Sequence, residues 1–302
     1  MGSFLTDEKS RQMQFKMNSP CFSEPARAEG IYKNRPRPFC LPLEYAEQNL
    51  IPEIRESALA HFSGHGIKWH DGQNGKPSNH LCSSQVCCVN FLFPFADKPA
   101  ELARVFRLIY PEIENMLPVE SGQYVSFEWT GQKNYLGEKV AGNGKRTRGA
   151  NCTSADAIVM FERKDKKRRA VLIEWKYTES YGGNFLKFAK SGTDRTEIYR
   201  HLFERDDCPI NKDSLPGFDA LFYEPFYQLM RQQFLANEME KAHEMNADVV
   251  SKLHIAPAHN KDFHRVTSPE LKKCGGTATA IWKKLVKKEG RFISVSSEQL
   301  FG

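Results

Sequence analysis

Two short stretches carry residue types that can do hydrolytic chemistry: Ser154-Ala155-Asp156-Ala157-Ile158-Val159 and Ile173-Glu174-Trp175-Lys176-Tyr177. Both read as β-strands from their β-branched and aromatic content. Side chains alternate across a strand, so Glu174 and Lys176 share one face while Ile173, Trp175 and Tyr177 take the other. If the two strands pair, Asp156 lies beside Glu174, with Lys176 one step along. Two carboxylates so placed repel each other unless a cation lies between them, and hard dications such as Mg²⁺ take oxygen ligands of this kind. A neighbouring lysine completes a set of groups suited to phosphodiester cleavage.

Glu-x-Lys is also common on a solvated strand face, where an acid–base pair is mildly stabilising. The surroundings argue against that here. Asp156 sits in an otherwise uncharged run, Thr153 to Phe161, and Glu174 and Lys176 interrupt the apolar run from Ala170 to Tyr177. Charges inside a central strand need partners or a function.

An Asp on one strand and Glu-x-Lys on the next resembles the PD-(D/E)XK nuclease superfamily: Asp156 matches the first acid, Glu174 the second and Lys176 the lysine. The resemblance runs over residues 80–300, from Ser83-Ser84-Gln85 to Tyr223-Glu224-Pro225-Phe226-Tyr227-Gln228, where the chain is similar to a bacterial group within that superfamily. Ala155 stands where the pattern often has Pro. The resemblance implies a restriction-endonuclease-like fold and Mg²⁺-dependent hydrolysis of DNA, with Mn²⁺ as a substitute, in restriction, phage defence or repair. It implies Asp156, Glu174 and the backbone carbonyl of Trp175 as metal ligands, and Lys176 as the group that orients or deprotonates water. A further acid or polar group ahead of Asp156 is implied, for which Glu128, Glu138 and Gln85 stand open; Glu128 joins Asp156, Glu174 and Lys176 as a candidate catalytic residue. The superfamily also places a helix near the site. Here Glu224, Gln228 and Arg231 recur at i, i+4 and i+7 on one helix face, so Gln228 and Arg231 are expected to touch the substrate backbone or to hold Lys176 or Glu174. Two other readings use the same residues: a nucleic-acid-binding protein without catalysis, and a structural ion-pair network.

Net charge is +6 and basic residues cluster. Lys139, Lys145, Arg146 and Arg148 lie among glycines, Lys166 and Lys167 sit in the charged run Arg163–Arg169, and six lysines fall between Lys272 and Lys288. Such clusters favour phosphate backbones through counterion release. Lys145, Arg146, Arg148, Lys166 and Lys167 are therefore expected at a DNA surface, with a second copy or another protein as a further partner. His61, His65, His70, His80 and Cys82 match no compact zinc module. No nucleophile elbow, Walker A or dinucleotide fingerprint is present.

The chain has 302 residues. Residues 1–80 are expected to form an N-terminal arm and helix on the core, irregular as far as Pro38, and residues 81–302 a nuclease domain. Helices are expected over Leu43–Phe62, Ser84–Leu92, Pro99–Leu108, Thr196–Phe203, Asp219–Met245 and Ala278–Lys288. Strands are expected over Tyr124–Trp129, Ala155–Arg163, Arg169–Thr178, Asp248–Ala256 and Phe292–Ser296. Helices before, between and after these strands give an α/β class with a central mixed sheet. No apolar run is long enough to cross a membrane, and Met1–Lys16 lacks the apolar centre of a signal peptide, so a cytoplasmic location is expected. The eight scattered cysteines read mostly as buried thiols.

Overall fold

The structure, a computed structural model, describes residues 3–138 and 144–301. Helix α1 (Phe4–Asn18) leads to a hairpin of β1 (Gly30–Tyr32) and β2 (Arg35–Arg37), then to α2 (Arg55–Gly64), α3 (Ser84–Leu92) and α4 (Pro99–Arg107). Strands β3 (Ile113–Leu117), β4 (Val125–Trp129), β5 (Ala155–Arg163) and β6 (Arg168–Trp175) follow. Helices α5 (Thr196–Phe203) and α6 (Phe226–Lys241) precede β7 (Val249–Ala256), and α7 (Pro269–Lys272), α8 (Ala278–Leu285), β8 (Phe292–Ser296) and α9 (Ser297–Phe301) end the chain.

Six strands form one mixed sheet in the order β3-β5-β6-β7-β8, with β4 also paired to β5. β5 and β6 are antiparallel, whereas β6, β7 and β8 run parallel. β4 and β3 divide the outer edge of β5 between them, β4 along its first half and β3 along its second. Alternation sorts the side chains into two cores. Ile158, Met160, Ala170, Leu172 and Val250 face α5, α6 and α8. Ala157, Val159, Phe161, Val171, Ile173, Trp175, Leu253 and Ile255 face α2, α3 and α4. With both faces covered, the central strands must be apolar almost throughout. The chain is thus an α/β protein with a central mixed sheet flanked by helices, as the sequence implies.

Several local expectations need correction. Phe4–Asn18 is not irregular: α1 is capped by Ser3, which accepts from Thr6 N, and its Lys16 is 1% exposed. Lys16 Nζ donates to the carbonyls of Ala28 and Cys40, which offsets the cost of burying it. Leu43–Phe62 is not one helix. Pro52 has no N–H to continue the ladder, and the stretch splits into 3₁₀ turns over Leu43–Asn49 and Pro52–Ile54, followed by α2. The long helix starts at Phe226, after Pro225, and not at Asp219. Strand β6 ends at Trp175, so Tyr177 and Thr178 lie beyond it. Strand β3 carries no clear sequence signal, because Ile-Glu-Asn-Met-Leu lacks a clean period of two. Of the cysteines, Cys40, Cys82, Cys88 and Cys208 are buried, and all eight are free thiols. Among the described residues no helix is long and apolar enough to cross a membrane.

Candidate active site

The α6 face of the sheet changes character at one end. Along β5 the apolar row Met160, Ile158 continues into Asp156, and along β6 the row Ala170, Leu172 continues into Glu174. Regular pairing of β5 with β6 stops at Ala157–Ile173, one residue short of these acids. Instead of a ladder bond, the N–H of Trp175 donates to Asp156 Oδ2 at 2.7 Å. The strands therefore part where the carboxylates sit, and a cleft of about 590 Å³ opens there. Asp156, Trp175, Lys176, Glu128, Gln85, Gln228, Arg231 and Gln232 all line it. Its outer wall comes from the N-terminal part of the chain, through Tyr32, His70, Asp71, Ser78 and His80.

Glu174 lies just beneath the floor. It is 1% exposed, with Lys176 Nζ 2.5 Å from its Oε1. Gln232 Nε2 donates to its other oxygen and, at 2.7 Å, to the carbonyl of Ser154. Oε1 has no well-aligned hydrogen bond despite its closeness to the lysine. Burial, the charge of Glu174 and, more weakly, that of Glu128 push the Asp156 carboxyl well above the usual carboxylate range, against the pull of Lys176 and the Trp175 N–H. Burial works to lower Lys176, yet Glu174, Tyr181, Glu179 and Asp156 together hold it well above the usual lysine range, so it is an ammonium.

Glu128 stands on the wall of the cleft. It falls between the register pairs Phe127–Ala157 and Trp129–Ala155, so it lies beside Asp156, and its backbone is left-handed with φ of 50°. That conformation is uncommon for any residue but glycine. Gln85 Nε2 and Ser154 Oγ each donate to the Glu128 carboxylate at 2.7 Å. Burial raises Glu128 first; Ser154 and Gln85 oppose this, and the charge of Glu174 adds to it. Gln85 also accepts from His70 N at 2.7 Å and so ties α3 to the outer wall. Of the three candidates for a further polar group, Gln85 and Glu128 thus meet in one hydrogen bond at the cleft. Glu138 does not line it and instead holds Thr153 and the Tyr199 hydroxyl.

The basic residues divide. Arg231 reaches the cleft from α6, stacked 4.5 Å over the Tyr227 ring and donating to Thr153 Oγ1. Gln228, one turn earlier, lines the cleft as well. The glutamine that holds Glu174 is Gln232, which the i, i+4, i+7 face did not include. Arg146 and Arg148 are spent inside the fold. Arg146 donates to the carbonyls of Thr130 and Gly131, and Arg148 pairs with Glu120 at 2.9 Å and donates to the carbonyls of Phe127 and Glu128. Lys145 is exposed on the same loop, and Lys139 lies outside the described residues. Lys166 and Lys167 sit at the β5–β6 turn, the far end of the strands from Asp156 and Glu174, and Lys166 pairs with Glu114 and Glu162. Seven residues of β5 at about 3.3 Å each separate that turn from the cleft by more than 20 Å. The five basic residues expected at a DNA surface thus lie in two separate places, Lys145, Arg146 and Arg148 on the loop before β5 and Lys166 and Lys167 at the β5–β6 turn.

Asp156 and Glu174 suit a hard dication as a donor set. They lie on one face of the sheet, Asp156 half-buried and Glu174 buried, the charge of Glu174 bears on Asp156, and among the described residues Asp156 receives one hydrogen bond, from Trp175 N–H. They do not form a three-acid cage with Glu128. Among the described residues the one cluster of three or more His, Cys, Asp or Glu side chains with all ligand atoms within 4.8 Å of one another is His61, His65 and Glu120.

A central mixed sheet of six strands flanked by helices is the architecture of a restriction-endonuclease-like fold. Residues 9–301 match the family model described as restriction endonuclease associating with ARP, and the chain belongs to that family. No curated protein and no solved structure matches it.

Proposed function

We propose that the chain is a metal-dependent deoxyribonuclease of PD-(D/E)XK type that hydrolyses DNA phosphodiester bonds. The observation that carries this reading is the charge-coupled pair Asp156 and Glu174, with Lys176 beside it, at the point where β5 and β6 separate under an open cleft. Asp156 and Glu174 would hold Mg²⁺ or Mn²⁺, with the Trp175 carbonyl as a further oxygen donor. Such an ion, when bound, supplies an activated water and neutralises charge on the scissile phosphate. Lys176 Nζ is protonated, so it serves as a donor: it orients the attacking water and stabilises charge as it develops on the phosphate oxygens. Gln232 fixes Glu174 so that the acid keeps its orientation while Lys176 turns to substrate. Arg231 and Gln228 are the backbone contacts, since they face the cleft from the rigid helix α6. The family description names association with ARP, and we extend that association to this chain as its protein partner.

The test is cleavage of plasmid and of linear single- and double-stranded DNA in Mg²⁺ or Mn²⁺, run with Glu174→Ala and Lys176→Ala. Cutting that depends on the ion and falls at least about 100-fold in each variant supports the reading. DNA binding without cutting in the wild type would mean a binding module that retains the fold.

A further inference from the structure

We infer a second metal site, for a transition-metal dication such as Zn²⁺, formed by His61, His65 and Glu120 on the α2 side of the sheet. His61 lies in the last turn of α2, and His65 caps that helix four residues later, so both rings lie on one side of it. Their centroids are 4.5 Å apart. Glu120, from the turn between β3 and β4, brings Oε1 to 3.3 Å from His65 Nδ1. One ligand atom from each residue falls within 4.8 Å of the others. Bonds of about 2.0–2.2 Å in a tetrahedral set place ligand atoms roughly 3.3–3.6 Å apart, so small side-chain torsions close the site.

Two further observations point to a ligand. His61 is 7% exposed, yet its Nε2 makes no well-aligned hydrogen bond to any of the described residues. A buried polar atom without a partner is costly, and a bound cation satisfies it. Phe62, Phe93 and Phe127 crowd the His61 ring, and the Gln123 side chain approaches it without closing a well-aligned hydrogen bond to Nε2. Glu120 is in turn oriented by Arg148 Nη1 at 2.9 Å and Ser126 Oγ at 2.6 Å, the kind of support that ligating carboxylates have. Two imidazoles and one carboxylate suit zinc better than Mg²⁺, which prefers oxygen donors only. The site is independent of the carboxylates of the cleft. Arg148 links it to the cleft wall, since it also donates to the carbonyls of Phe127 and Glu128.

Full-length protein stripped with chelator is titrated with Zn²⁺ by calorimetry and with Co²⁺ by visible absorption. The proteins compared are wild type, the double variant Asp156→Asn/Glu174→Gln, and the single variants His65→Gln and Glu120→Gln. We expect one equivalent of Zn²⁺ in wild type, retained in the double variant and weakened at least about tenfold in both single variants. Co²⁺ should give the intense visible bands of a four-coordinate site in the first two proteins, and Zn²⁺ should raise their Tm. His65→Gln and Glu120→Gln replace partly exposed side chains, and their unfolding in chelator reports whether they remain folded. Zn²⁺ binding lost in the double variant but kept in His65→Gln and Glu120→Gln would overturn the inference, as would no binding by wild type.

Discussion

At the scale of single residues, Asp156 is a half-buried carboxyl set beside the buried Glu174. Its carboxyl is held well above the usual range, so the folded state holds a proton that the unfolded chain has released. Stability therefore falls as pH rises from the ordinary Asp value near about 3.9 through the raised value. Asp156→Asn removes the repulsion from Glu174 and keeps an acceptor for the Trp175 N–H. In chelator at pH 7.5 it should raise Tm by about 2 °C or more, a gain that fades as pH drops toward 4; equal melting curves across that range would contradict this account. The pair Glu174 and Lys176 behaves oppositely. Removing Lys176 alone strands a carboxylate that is 1% exposed, and Lys176→Met should cost about 3–5 kcal/mol in denaturant unfolding. The double variant Glu174→Leu/Lys176→Met should recover most of that stability with no activity. A single variant as stable as wild type would show that water already reaches Glu174.

At the scale of elements, one side chain anchors β4 beyond its pairing with β5. Arg148 pairs with Glu120, donates to the carbonyls of Phe127 and Glu128, and lies 5.4 Å over the Trp129 ring. It keeps the left-handed turn at Glu128, and with it the cleft wall. Arg148→Met should lower stability by about 3 kcal/mol or more, since Glu120 and the carbonyls lose their donor together. The Lys166→Ala/Lys167→Ala variant, at the far hairpin, should leave both cleavage and Tm unchanged. A loss of DNA binding in that variant, read by anisotropy, would move the nucleic-acid surface to the opposite end of the strands. The sequence shows the basic clusters but not this division, because two arginines on a glycine-rich loop look alike until the carbonyls they reach are known.

At the scale of the molecule, the N-terminal segments and the sheet build one cleft. Tyr32, His70, Asp71 and His80 wall it from outside, and α1 packs behind it, where Glu8 and Gln12 hold the Tyr177 hydroxyl at 2.6 and 2.9 Å. Tyr177 follows Lys176 directly. Removal of residues 1–18 should uncover this strand end, lower Tm by several degrees, and reduce cleavage even though no residue that lines the cleft is lost. A truncated chain with wild-type activity and melting would show that α1 is an appendage.

Much of the fold was legible because its signals are local. Alternation placed β4, β5, β7 and β8 within a residue or so, Ser83 and Pro99 marked two helix starts, and charges breaking apolar strands marked Asp156, Glu174 and Lys176. These signals depend on neighbours in the chain, and burial then enforces them. What remained hidden depends on partners distant in sequence. Gln232, rather than Gln228, holds Glu174 because α6 crosses the sheet at that turn. Gln85 and Glu128 share one hydrogen bond because α3 and β4 converge. His61 and His65 gain a carboxylate only because the β3–β4 turn folds back onto α2. A sequence fixes which face a residue takes, through the periods of strand and helix. Which residue it meets there is decided by how the faces pack, and that is a property of the whole chain.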